Sequence, residues 1–427
     1  MRRSPDLNHL RIGFISTRFA GTDGVSLETG KWAGVLEKMG HTCFYFSGLN
    51  DRPPEVSYVV AEAFFHRPEI DALHDLAFSR PTRPPELTGQ ILKLKDYFRQ
   101  HLYAFLAKFD LDLLIVENAL SIPVHIPLGL AISEVIGETG MPTIGHHHDM
   151  AWERSRFAVN CVGDYLASAF PPNFPCIRHV VINSVAGSQL AYRTGLSSRV
   201  IPNVMDYEHP PAAPDEYTLD VRADLGILPG EKFILQPTRV VQRKGIEHAI
   251  ELVSRLELPA RLVISHAAGD EGREYEKRVH YYANRMEVPT VFVAQQIQQE
   301  RGRLPDGRKV YTLADVYPQA DLVTYPSEIE GFGNAFLEAV YYRRPILVNT
   351  YTIYETDIKP KGFKAIEFNG FITEDSIRQV QQLLADGLAV NEMVETNYQI
   401  ARRHYSYAIL QYHFQALLTE LFGLRIG

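Results

Sequence analysis

Short apolar runs alternate with helix-length segments along this chain, and the whole alternation occurs twice. In the first half the strand-like runs are RIGFIS (11–16), TCFYFSG (42–48), LDLLIVEN (111–118), PTIGHHHD (142–149), RHVVINS (178–184) and SRVIPN (198–203). Helical stretches such as SLETGKWAGVLEKMGH and QILKLKDYFRQHLYAFLAKF lie between them. A proline- and acid-rich break, EHPPAAPDEYTLD (208–220), interrupts the pattern. It then restarts with KFILQPTRV (232–240), GIEHAIELVSRLE (245–257), ARLVISH (260–266), TVFVAQ (290–295), LVTYPS (322–327) and PILVNT (345–350). Strands separated by crossover helices predict parallel sheets covered on both faces. At 427 residues the chain also exceeds one ordinary core.

The expected fold is therefore α/β, with two Rossmann-like doubly wound domains facing a cleft. The boundaries are expected at 1–205 and 206–400. Residues 401–427 carry an amphipathic helix, YAILQYHFQALLTELF, able to dock on either domain, including back on the first. In such folds ligands sit outside the carboxyl ends of the strands.

Composition excludes several function classes. A net charge of −8, from 43 basic and 51 acidic residues, argues against general binding to nucleic acid or acidic membranes. The three cysteines show no CxxC spacing and read as reduced thiols of a cytoplasmic protein. The basic start, MRRSPD, is followed only by the short apolar run Ile12–Ile15, too little for a signal segment. No run approaches the ~18 apolar residues of a membrane span. The aromatic segment Tyr97–Phe109 could touch a membrane, but core packing accounts for it more simply.

Chemistry concentrates in two stretches of the second half. In SEIEGFGNAFLEA (327–339), Glu330 precedes Gly331-Phe332-Gly333 and Glu338 falls eight residues later, inside an apolar helical run. A helix N-terminus offers unpaired N–H groups and a positive dipole end to a phosphate, and glycine lets the backbone approach it. An ionised carboxylate accepts two hydrogen bonds and so can grip a vicinal diol. Two such acids flanking an anion site match a nucleotide-sugar, with a sugar at one end and a ribose at the other. The bland alternative is a helix cap at Glu330 and a solvated surface residue at Glu338. In QPTRVVQRKGIEHAI, Arg239 follows a strand and Lys244 opens the next helix, which suits a diphosphate clamp.

The first stretch resembles the E-x7-E signature of retaining glycosyltransferases of the GT-B fold, family 4 type (glycosyl transferases group 1). The resemblance implies that Glu330 contacts the transferred sugar and Glu338 the ribose, with Phe332, Gly333 and Asn334 supplying amides. Arg239, Lys244 and Gly245 match the family's R-x4-K-G element, which binds the donor diphosphate. Gln236-Pro237-Thr238 stands where the family usually has a glycine before the arginine. Gly24 resembles part of the family's N-terminal glycine loop near the donor phosphate. VIPNVMD resembles P-N-G-V-D, with Val204-Met205 replacing Gly-Val, and Asn203 and Asp206 read as structural.

In IGHHHDMAWERSRF, the family's active-site histidine falls on His148, with His147 as the alternative register. Along a strand His146 and His148 share a face and His147 points away. No third ligand can be assigned to complete a metal shell, so no metal is expected. Asp149, Arg154 and Arg156 are candidates for holding an acidic acceptor. The D-x-D of FDLDLL, Asp110 and Asp112, precedes its strand instead of ending it and is set aside as a metal motif.

The implied activity is retaining transfer of a hexose from a nucleotide-diphosphate sugar, of UDP-glucose or GDP-mannose type, to an acceptor hydroxyl. A small acidic solute or glycoside is one acceptor class. His148, Glu330, Arg239 and Lys244 are the expected catalytic set, with no cofactor required. The rivals are a same-fold nucleotide-sugar epimerase, a sugar phosphorylase, and a non-catalytic sugar-binding protein.

Overall fold

The computed structural model describes residues 5–21, 23–268 and 272–423, so the basic start of the chain lies outside it. The chain divides into two units, one running to Asn203 and resuming at Ala408, the other spanning Val204–Tyr407. The first break thus falls two residues earlier than the sequence pattern suggests, and the last one later. The reason is local: Met205 N–H donates to Tyr405 O at 2.9 Å, and Met205 bridges Ser406 in parallel. That pairing holds both segments in the second unit.

The first unit contains a seven-stranded sheet. Its strands are β1 (Arg11–Ile15), β2 (Thr42–Ser47), β3 (Ser57–Val59), β4 (Leu113–Glu117), β5 (Thr143–His147), β6 (Ile177–Val181) and β7 (Ser198–Val200). Their order is β3-β2-β1-β4-β5-β6-β7, every pair parallel. Strand β4 is buried along its full length, as a strand covered on both faces must be. Helices α1 (Gly24–Lys38), α2 (Pro85–Phe109) and α3 (Ile126–Thr139) cross between strands. Phe98, Phe105, Leu128 and Ile132, from α2 and α3, pack with Ile15, Phe46 and Val116 of the sheet. The C-terminal helix, Tyr407–Phe422, belongs with this unit from Ala408 onward.

The D-x-D pair finds an ordinary role here. Asp110 ends α2 in a left-handed conformation (φ 44°), and Asp112 Oδ2 accepts from Arg11 N–H at 2.9 Å. The proline-rich stretch after residue 50 supplies the edge strand β3 and a short helix, Pro68–Ala77.

The second unit contains a six-stranded sheet: β8 (Lys232–Gln236), β9 (Ala260–Ile264), β10 (Thr290–Phe292), β11 (Leu322–Tyr325), β12 (Ile346–Asn349) and β13 (Ile366–Phe368). Their order is β10-β9-β8-β11-β12-β13, again all parallel. Helix α4 (Ile246–Arg255) follows β8, and α5 (Asn334–Tyr341) follows β11. Ile246, Ile250 and Val253 of α4 pack on Ile234, Leu262 and Leu322 of the sheet.

Each sheet reverses its winding once, between β1 and β4 in the first unit and between β8 and β11 in the second. Loops diverge at such a reversal, which opens a crevice at the carboxyl ends of the two strands.

Candidate functional site

In the second unit, the loops leaving β8 and β11 are the two stretches that carry the anion-binding pattern. Buried Gln236 joins the strand ends: its amide donates to Thr238 Oγ1 at 2.8 Å and accepts from Thr324 Oγ1 at 2.7 Å. The loops also meet through their backbones, with Glu328 N–H donating to Arg243 O at 2.9 Å. Gly245 sits at φ +57°, and a Cβ there would stand 2.7 Å from Pro326 O, so only glycine fits without displacing the backbone.

This stitching brings Lys244 onto Glu330. The ammonium hydrogen-bonds Glu330 Oε1, and both side chains are about nine-tenths buried. Arg243 approaches the same carboxylate at 3.7 Å. Burial alone would raise the Glu330 pKa, but the Lys244 ammonium outweighs it and holds the carboxyl below its usual value. Arg239 is exposed in the loop after β8. His266, just past β9, is pushed down to about 4 by burial and then by Arg239 and Lys244, so it is neutral at ordinary pH.

Gly333 leads into α5 at φ +133°, and no side chain caps that helix. A Cβ at Gly333 would lie 2.4 Å from Tyr351 Oη, whose hydroxyl donates to Phe332 O at 2.8 Å. Gly333→Ala is therefore expected to destabilise the second unit by about 1–3 kcal/mol in urea unfolding. Removing the hydroxyl with Tyr351→Phe in the same chain should restore part of that, and an unchanged midpoint for Gly333→Ala alone would refute the close approach. Glu338, the fifth residue of α5, is half-buried and accepts from Tyr317 Oη at 2.8 Å, so it is held in place and is not a loose surface carboxylate. The Phe332 ring packs edge-on against Tyr405, which leaves its backbone, and not its side chain, for a ligand.

In the first unit, the three histidines separate. His147 turns to His179, with Nε2 and Nδ1 2.9 Å apart. His146 and His148 converge on Glu117, the last residue of β4, at 2.8 and 3.1 Å from Oε2. The ground for expecting no metal, the lack of an assignable third ligand, therefore does not hold: Glu117 brings a carboxylate oxygen within 4.8 Å of both rings. Burial would raise the Glu117 pKa, but His146 and His148 bring it down to about 2. For His148, burial would lower the pKa and the Glu117 carboxylate more than reverses that.

The remaining candidates lie nearby in sequence but are engaged differently. Asp149 pairs with Arg154 at 2.8 Å, and Arg156 lies over the Phe157 ring at 4.7 Å. Gly24 is the first residue of α1. The carboxylate of Asp23 already takes the N–H groups of Val25 and Ser26 at 3.2 Å. Glu117, Arg243, Tyr317, Gln236 and His266 escaped the sequence reading. For Glu117, Gln236 and His266 the available signal was an ionisable or polar residue closing an apolar strand or following one, whereas Arg243 lies inside the Arg239–Lys244 stretch and Tyr317 precedes β11.

Residues 219–400 match the family described as Glycosyl transferases group 1. The mannosylglucosylglycerate synthase of Thermotoga maritima is 30% identical to this chain over 430 residues, covering 93% of it and 97% of the relative. The enzyme of the same name from Petrotoga mobilis is 30% identical over 382 residues, covering 84% and 86%. Among solved structures, a glycosyltransferase from Rickettsia africae aligns over 98% of this chain and 100% of its own with a TM-score of 0.70 at 13% identity. Sucrose-phosphate synthase from Thermosynechococcus elongatus aligns over 97% and 99% with a TM-score of 0.68 at 15% identity. The structural likeness establishes the GT-B fold, and the synthase relatives remove the non-catalytic sugar-binding alternative. No helix among the described residues is long and apolar enough to cross a membrane. The chain is an enzyme, a glycosyltransferase, and it belongs to the glycosyl transferases group 1 family.

Proposed function

We propose that this enzyme makes mannosylglucosylglycerate by moving a mannosyl unit, with retention at C1, from a nucleotide-diphosphate mannose to a hydroxyl of glucosylglycerate. The name shared by the two synthase relatives supports the product. The observation that carries the donor assignment is the buried Lys244–Glu330 pair at the winding reversal of the second sheet, with Arg239 in the same loop. A diphosphate gives Lys244 a stronger partner and frees Glu330 to accept from the sugar hydroxyls. Arg239 adds a forked cation and α5 its uncapped N-terminus. Glu338, steadied by Tyr317, takes the ribose diol.

These groups neutralise the charge that grows on the leaving diphosphate as the C1–O bond breaks, which lowers the barrier without a cofactor or a metal on the phosphates. The acceptor oxygen enters on the face the diphosphate leaves, and the departing phosphate oxygen takes its proton. His148 stands beside the reacting sugar, and Arg154 and Arg156, next to Asp149, receive the carboxylate of the glycerate moiety.

The test is product formation from GDP-mannose with glucosylglycerate, read by mass, with UDP-glucose in a separate reaction expected to give no product. Arg239→Ala is expected to raise the donor KM roughly 10–100-fold, with stability unchanged because the side chain is exposed. Glu338→Gln should weaken the donor and spare the acceptor KM. Donor isomerised without acceptor would instead mean an epimerase, and phosphate-dependent release of a sugar phosphate from the glycoside a phosphorylase. Equal donor affinity in both variants would end the site assignment.

A further inference from the structure

Strand β4 ends at Glu117 and is followed by Asn118, and its neighbour β5 runs directly into His148-Asp149. The first pair holds the second at both ring and backbone. Glu117 Oε2 takes His148 Nε2 at 3.1 Å, which leaves ring nitrogen Nδ1 for a substrate. Asn118 Oδ1 accepts from the backbone N–H of His148 at 2.8 Å and of Asp149 at 3.3 Å, and from Ser121 Oγ at 3.0 Å. To aim that oxygen, Asn118 adopts φ +59°, a region asparagine tolerates better than most residues.

Behind this clamp the rings are stacked. Trp32 of α1 lies flat on His146, centroids 3.9 Å apart, and Phe414 of the C-terminal helix stands edge-on to Trp32 at 4.8 Å. His146 in turn leans on His148 at 4.3 Å.

We propose that Glu117 and Asn118 are positioning residues for the transfer: Glu117 fixes the His148 ring with Nδ1 toward the substrate, and Asn118 fixes the backbone that carries it. This rests on the reading of His148 as a residue beside the reacting sugar.

Charge balance favours a proton in the cluster over a metal ion. A proton on His148 would balance the Glu117 carboxylate. Of the other charged groups acting on His148, Glu28 pairs with Lys31 at 2.9 Å and Asp149 with Arg154 at 2.8 Å. A divalent ion in place of that proton would leave one surplus positive charge among side chains that are nine-tenths or more buried. The bond from Glu117 also keeps His148 protonated to higher pH, since burial alone would strip the proton.

The test uses the full chain. Nitrogen-15 histidine NMR on the parent should show Nε2 of His148 protonated at pH 7. In Glu117→Gln the His148 midpoint should fall by at least about one pH unit. The alkaline limb of kcat should move down with it, kcat at pH 8 should drop about 10–100-fold, and the donor KM should stay within about twofold. Glu117→Asp should restore the limb in part, and it serves as the charge-retaining variant if Glu117→Gln fails to fold. Asn118→Ala should lower kcat equally at all pH values without moving the His148 midpoint.

An unmoved His148 midpoint in both Glu117 variants would overturn the proposal. So would a stoichiometric transition metal in the purified protein that Glu117→Gln loses. If the parent transfers no mannose, the proposed function fails, while the NMR midpoint still decides whether Glu117 holds the ring.

Discussion

Replacing Lys244 with Met is expected to destabilise the second unit by about 3–5 kcal/mol and to abolish measurable transfer. Adding Glu330→Gln should return most of the stability and none of the activity. The first effect follows from burial: both side chains of the pair are about nine-tenths covered, and Tyr325 and Tyr351 lie close to the carboxylate. Removing the ammonium leaves Glu330 as a buried anion whose nearest remaining cation is Arg243 at 3.7 Å, with only the neutral hydroxyls of Ser327 and Tyr325 beside it. Gln at 330 removes that charge with little change in shape, which is why the double variant should recover. Activity is expected to behave otherwise, because in the proposed donor complex Lys244 and Glu330 serve different parts of the ligand. Urea unfolding of the parent, the two single variants and the double variant measures the coupling directly. Additive losses of stability would show that the two charges do not depend on one another.

The individual members of this pair were legible in the sequence, and their pairing was not. Arg239 and Lys244, and likewise Glu330 and Glu338, sit at short spacings within one stretch each, which local sequence can show. Lys244 and Glu330 are 86 residues apart. Their contact depends on β8 and β11 being neighbours, which the strand–helix pattern permits but does not specify. Gln236 shows the same limit: as a departure from the family's glycine it looks like a defect, and only the β8–β11 pairing reveals a bridge between two strand ends.

In the first unit, alternation along an extended strand correctly separated His147 from His146 and His148. The carboxylate they share closes LLIVE, a run that otherwise reads as pure core. Gly24 shows a local limit: Asp23 is an efficient N-cap and makes the following glycine the first residue of α1. Strand order and local capping are the two kinds of information that spacing alone does not carry.

The first unit is also expected to lose at least roughly 5 kcal/mol of stability between pH 7 and pH 4.5, most of it through His125 and His179, with His146 and His147, also lowered by burial, adding to it. Burial lowers His125 and His179 from 6.5 to about 4. Between those values the unfolded chain binds protons that the folded unit refuses, so stability rises with pH across the window and is complete above 6.5. His125 shows what is broken. Its Nδ1 accepts from Leu128 N–H at 3.2 Å to cap α3, and its Nε2 donates to Glu62 O at 3.0 Å. A second proton converts the accepting nitrogen into a donor facing another N–H. His179 Nδ1 faces His147 Nε2 at 2.9 Å, and it is burial that disfavours its charge.

The Glu117–His148 pair does not cancel this loss. His148, with its raised pKa, is protonated in both states below 6.5, and Glu117 gives way only on approaching pH 2. His125→Asn keeps a competent helix cap without the titration and should lower the acid slope by about one proton. Urea unfolding at intervals from pH 7 to 4.5 reads both chains. A flat parent profile, or equal slopes in parent and variant, would remove these histidines as the source of acid lability.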